Sequence, residues 1–176
     1  MSQCGCQPAA ENCANDVTSR ARNLVSELPR KRTLPDAALW DAYRRTTYVA
    51  RTGDGEVRIQ PDHPIPGLDV LLGQRRADQW AYITACNPES RLLSEEENVR
   101  RQQRLVQAVQ DRGLTFFEGE SVLDAAAWPP EPSLLILGIS SDEARALGRQ
   151  FGQRAIVVGR VGQPARLVAC DERAQD

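Results

Sequence analysis

The sequence predicts an α+β fold: a single domain in split βαβ (ferredoxin-like) order, with an added N-terminal hairpin and helices. Three observations predict it. From residue 80 onward, apolar runs of strand length and amphipathic helical stretches follow the order strand, helix, strand, strand, helix, strand, plus one more strand. The run "SLLILGI" is continuously apolar, as a strand covered on both faces requires. Ser94 with Glu97, and Ser140 with Glu143, stand where two helices should begin, each with the spacing of a capping box. An antiparallel or mixed sheet with helices on one face satisfies this order.

Residues 1–15, with the opening "MSQCGCQPAAENC", are polar and aperiodic and read as a flexible tail. Over 16–34, Val17, Ala21, Leu24, Val25 and Leu28 share one helical face, and Pro29 with Arg30-Lys31-Arg32 closes the helix. The α+β domain is expected over 35–172. It opens with a short helix near Pro35 whose buried stripe is Leu39, Trp40 and Tyr43. "TTYVAR" and "EVRIQ" flank Thr52-Gly53-Asp54-Gly55 as a β-hairpin. "PDHPIPG" is predicted to be a loop, because its three prolines oppose regular structure. A short apolar segment, "GLDVLLGQRR", leads to the central unit.

That unit is "QWAYITAC", a strand by its β-branched and aromatic content, followed by Asn87-Pro88. Pro88 pushes Asn87 out of the helical region, so the strand must end there. The next helix is expected over 94–112, with Val99, Leu105, Val106 and Val109 inward and Gly113 as the stop. "LTFFEGES" reads as a strand, "SVLDAAAWPPEP" as an irregular connection, and "SLLILGI" as the apolar strand. The second capped helix turns Ala144, Leu147 and Phe151 inward and stops at Gly152. "RAIVVGR" and "ARLVAC" close the sheet across the turn "VGQP".

Composition limits the chemistry. Net charge is -2, the aromatic fraction is 5%, and neither supplies the basic stripe that nucleic acid needs. No apolar stretch reaches the roughly 20 residues of a membrane helix, and with no apolar leader the expected compartment is the cytoplasm. The single histidine, His63, sits in the proline loop with no nucleophile motif nearby, which argues against a Ser-His-Asp or Cys-His triad. Five cysteines without a signal peptide do not read as a disulfide framework. Cys86 and Cys170 are expected to be small core residues. Cys4, Cys6 and Cys13 are the metal candidates, but three thiolates fall short of a closed zinc site's four ligands. No cofactor is implied.

Polar residues gather at the ends of the apolar strands. Asn87 and Ser90 lie where the central strand runs out before a helix N-terminus, a place where α/β folds commonly receive ligands. Glu95, Glu96 and Glu97 already complement that helix dipole and oppose a phosphate there. Asn98 and Arg101, one turn apart, can share a helix face. Glu131 precedes the apolar strand, beside Trp128 and Ser133, and suits a general base if held in apolar surroundings. Gln153 follows the Phe151-Gly152 helix stop. The candidate ligand-binding set is therefore Asn87, Ser90, Asn98, Arg101, Glu131 and Gln153, and no reaction is specified. An Asx turn at Asn87 and a helix cap at Ser94 explain part of the same pattern without a ligand.

"AYITACNPES", "ENVRR", "WPPEPSLLILGIS", "EARALGRQFGQRAIVVGR" and "ARLVA" together resemble the bacterial domain-of-unknown-function family 3293, over roughly residues 40–170. The recurring family blocks fall on Thr84, Ala85, Asn87, Pro88, Glu97, Asn98, Phe151, Gln153 and Ala155. An aromatic residue often precedes Asn-Pro in that family, and Cys86 stands there in this chain. The resemblance implies a shared domain and no activity. Two functions remain: a site for a polar small molecule, nucleotide-like compounds included, or a non-enzymatic module that meets a partner protein through its sheet face or edge.

Overall fold

The computed structural model describes residues 36–122 and 129–171 of this chain. The tail over 1–15, the helix over 16–34 and Trp128 lie outside the described residues. Helix α1 (Asp36–Arg45) leads into hairpin β1 (Thr47–Thr52) and β2 (Gly55–Ile59), then α2 (Pro66–Arg75) and β3 (Gln79–Thr84). A 3-10 turn at Pro88–Ser90 precedes α3 (Glu95–Gln110), β4 (Thr115–Val122) and β5 (Glu131–Leu137). The chain then forms α4 (Ser141–Gln150), β6 (Ala155–Arg160) and β7 (Arg166–Ala169). The hairpin, the two capped helices and the apolar strand stand where the sequence places them.

The strands form one seven-stranded sheet in the order β2-β1-β4-β5-β3-β6-β7, every neighbouring pair antiparallel. Alternation splits the central strands between two cores. Ala81 and Ile83 of β3, with Leu134 and Ile136 of β5, pack under Leu105 and Val109 of α3 and Ala144 and Leu147 of α4. Trp80 and Tyr82, with Leu135 and Leu137, face the other way onto Leu68, Leu71 and Leu72 of α2 and onto Ala50 and Ile59 of the hairpin. Burying a Leu or Ile side chain contributes about 1.5–3 kcal/mol, so β3 and β5, buried on both faces, anchor the domain.

Four expectations need correction here. Helices cover both faces of the sheet, not one, because "GLDVLLGQRR" is itself the helix α2. Pro66 takes its first turn, where a missing N–H costs nothing, so the third proline starts a helix. Val99 is 46% exposed while Leu105 and Val109 are fully buried, since the face that reaches the sheet begins a turn later. Ser94 caps α3 by accepting from the Glu97 amide at 3.2 Å, but the Glu97 carboxylate accepts from Arg100 at 3.1 Å in place of closing a capping box.

The box at Ser140 is complete: its hydroxyl accepts from the Glu143 amide at 3.3 Å, and the Glu143 carboxylate accepts from the Ser140 amide at 3.1 Å. These bonds from Ser140 hold the Glu143 carboxyl below its ordinary pKa. A depressed carboxylate stabilises above its unfolded pKa and loses that contribution as pH falls through the folded one. Ser140→Ala is expected to cost about 1 kcal/mol at neutral pH and to flatten the acid limb of the stability curve, as read by urea denaturation across pH 2.5 to 7. Among the described residues, no helix is long and apolar enough to cross a membrane.

Candidate functional site

Strand pairing ends at Thr84, so the backbone groups beyond it must find other partners. Side chains supply them. The Thr84 hydroxyl donates to the Pro132 carbonyl at 2.7 Å and accepts from the Cys86 amide at 3.0 Å. The Ala85 amide donates to Gln102 Oε1 at 3.1 Å, and the Ala85 carbonyl accepts from Arg101 Nε at 2.8 Å. Arg101 also donates to the Phe151 carbonyl. Gln153 Nε2 donates to the Cys86 carbonyl at 2.9 Å.

Asn87 is the centre of this cluster. It is 5% exposed, and its amide donates to Asn98 Oδ1 at 2.9 Å. Its Oδ1 accepts from Asn98 Nδ2 at 3.0 Å and from the Leu93 amide at 2.9 Å. Its Nδ2 donates to Glu131 Oε1 at 2.7 Å. One side chain therefore joins the end of β3, the entry to α3 and the start of β5.

The loop it holds is strained. Asn87 (φ 46), Glu89 (φ 54) and Ser90 (φ 54) all occupy the left-handed region, which asparagine tolerates better than most residues. Across the loop the Glu89 amide donates to the Gly152 carbonyl at 2.8 Å. Gly152 (φ +70) has no room for a side chain: a Cβ there would lie 2.8 Å from Pro88 Cβ. The stop signal of α4 is also the seat of the Asn-Pro turn.

On the outer side, the Tyr43 and Ser90 hydroxyls share a hydrogen bond of 2.6 Å. Burial raises the Tyr43 phenol above its ordinary pKa; the Ser90 bond and Arg154 pull it down, and the Glu131 carboxylate adds to the rise. Burial likewise raises the Cys86 thiol, opposed by its hydrogen bond with Thr84, and pushes Cys170 up to about 12. Both cysteines are free and buried in the core, as expected.

All six candidate residues meet the same loop. Asn87, Asn98 and Glu131 touch directly, Arg101 and Gln153 bind its first carbonyls, and Ser90 is part of it. They divide by task. Asn87, Asn98 and Arg101 direct their polar atoms at backbone or at one another and hold the loop's shape. Tyr43, Ser90, Glu131 and Gln153 are half-buried and form its rim, the two hydroxyls bonded to each other, Glu131 to Asn87 and Gln153 to the Cys86 carbonyl. Arg100 is spent on Glu97. Tyr43, Thr84, Gln102 and Gly152 were missing from the sequence-derived set. Gln102 had a signal, lying one helical turn beyond Asn98; Tyr43 had none, because it comes from a distant helix. No group of three His, Cys, Asp or Glu side chains suited to a metal occurs among the described residues, and Cys4, Cys6 and Cys13 lie outside them.

Fold and site together define an α+β domain in which side chains from several segments brace a turn at the end of a central strand. Residues 83–156 match the model of the family described as Protein of unknown function (DUF3293), which bears out the resemblance over that stretch. The match runs from the end of β3 to the start of β6 and so contains the cluster apart from Tyr43. Comparison with curated proteins and with solved structures gives no match.

Proposed function

We propose that the rim formed by Tyr43, Ser90, Glu131 and Gln153 binds a polar small molecule, with Asn87, Asn98 and Arg101 holding the loop in its binding shape. The observation that carries this reading is the loop itself. Three non-glycine residues within four positions have positive φ, and strain of this kind, about 1–3 kcal/mol per residue, clusters at binding and catalytic sites.

The Glu131 carboxylate favours ligands with hydrogen-bond donors, such as sugars and nucleosides. Glu95, Glu96 and Glu97 stand in the first turn of α3 and disfavour a phosphate against that helix end. We also read β4-β5-β3-β6, with α3 and α4 on one face, as the split βαβ unit, to which the hairpin and α2 are additions.

A thermal-shift screen of sugars, nucleosides, nucleotides and sugar phosphates tests the proposal. A true ligand at about 100 times its Kd adds about 2.7 kcal/mol and raises Tm by several degrees. Glu131→Gln, whose amide oxygen can still accept from Asn87, should bind that ligand at least ten times more weakly. No stabilisation by any class, or equal affinity in Glu131→Gln, counts against the site.

A second reading rests on a separate observation: Leu92 (54%), Leu93 (37%) and Val99 (46%) are exposed beside the loop. Exposed apolar residues close together in the chain suit a partner protein. Pull-down with wild type against Leu92→Ser/Val99→Ser distinguishes it, because those changes leave the polar rim intact.

A further inference from the structure

Two helices cover the four strands β4, β5, β3 and β6 on one face, but the hairpin extends the sheet beyond them. Where that helical layer stops, a groove of about 220 Å³ runs between the flank of α3 and strands β1, β4 and β5. Its accessible apolar side chains are Val106 and Pro132, with the buried Leu134 beneath. Strand register puts Glu118 opposite Leu134 and Glu120 opposite Pro132, so both carboxylates share the groove's face.

The charges there are unequally matched. Arg51 donates to Glu120 at 2.7 Å, whereas Glu118 has no ion pair or hydrogen bond among the described residues. Gln102 lines the same groove and uses its Oε1 on the Ala85 amide; its Nε2 donor has no partner among the described residues. Two carboxylates against one guanidinium leave an excess negative charge beside an apolar floor. The groove is smaller than the roughly 300 Å³ at which drug-sized pockets begin.

We propose that this groove binds a small organic cation, an amine or guanidinium on a short apolar stem. The cationic head pairs with Glu118, and the stem lies on Val106 and Pro132. This goes beyond the polar-ligand site, whose rim residues Tyr43, Ser90, Glu131 and Gln153 do not line the groove.

Calorimetric titration of the full chain with agmatine, cadaverine and phenethylamine at low ionic strength tests it. At least one amine should bind with a Kd below 1 mM, and Glu118→Gln should weaken that amine at least fivefold. Glu56→Gln, an exposed carboxylate outside the groove, should leave it unchanged. Because Glu118 is exposed and unpaired, Glu118→Gln should fold like wild type, which a matched Tm confirms. No binding by any of the three amines, or equal losses in Glu118→Gln and Glu56→Gln, would overturn the proposal.

Discussion

Asn87→Ala should destabilise the domain by about 3–5 kcal/mol, among the largest effects of any single substitution at the loop. Three partners lose their bond at once: the Leu93 amide, the Asn98 side chain and the Glu131 carboxylate. Each hydrogen bond lost here costs about 1–3 kcal/mol. Alanine also resists the left-handed backbone at this position by about 1–2 kcal/mol. Asn87→Gly separates the two causes, since glycine accepts φ 46 but cannot bond, and it should fall between wild type and alanine. Asn87→Asp keeps the acceptor yet replaces the donor to Glu131 with a second carboxylate, so it too should be less stable than wild type at neutral pH. Urea denaturation with an unchanged m-value reads all three.

Gly119→Ala should cost a similar amount for a different reason. Gly119 lies in β4 between Ala50 of β1 and Ser133 of β5. The space where its side chain would be is occupied by the Tyr82 hydroxyl, which donates to the Val49 carbonyl at 2.7 Å. A Cβ would run into both that carbonyl and that hydroxyl. Either the buried phenol loses its acceptor or the β1–β4 ladder opens, and about 3–5 kcal/mol follows from the unpaired group plus the lost packing. Tyr82→Phe removes the hydroxyl and should cost only about 1 kcal/mol. Combined with Gly119→Ala it should recover part of the loss, because one of the two obstructions has gone. Additive effects in the double variant would show that the two positions do not share this space.

Much of this architecture is legible in the residues, because local physics decides it. Ser140 and Glu143 announce α4, the Thr52–Gly55 turn announces the hairpin, and the unbroken apolar run of β5 announces burial on two faces. What escaped reading depends on contacts across the chain. Leu68, Leu71 and Leu72 carry a helical period, but three nearby prolines and Gly67 and Gly73 hid α2, and with it the second helical layer. Val99 fits the apolar period of α3 by spacing, yet the sheet lies under the following turns.

The candidate site follows the same division. Asn87-Pro88 announces that a strand must stop and turn, and each of the six residues could be picked out at a strand or helix end. That Asn87 would reach Glu131, forty-four positions away, is fixed by the pairing of β3 with β5, which no local pattern reveals. The role of Gly152 as the seat of the Asn-Pro turn is equally invisible until the two segments are adjacent. Tyr43 joins only because α1 brings it onto Ser90.

The central claim is that the braced turn serves a ligand at its rim, and amide chemical-shift mapping tests it most directly. The compound that most raises Tm in the screen is titrated into labelled protein. Shifts concentrated at residues 87–93, 131–133 and 151–154, saturating with a Kd that Glu131→Gln weakens at least tenfold, are the expected result. Saturable shifts that leave these three segments unmoved and fall elsewhere on the domain would contradict the account.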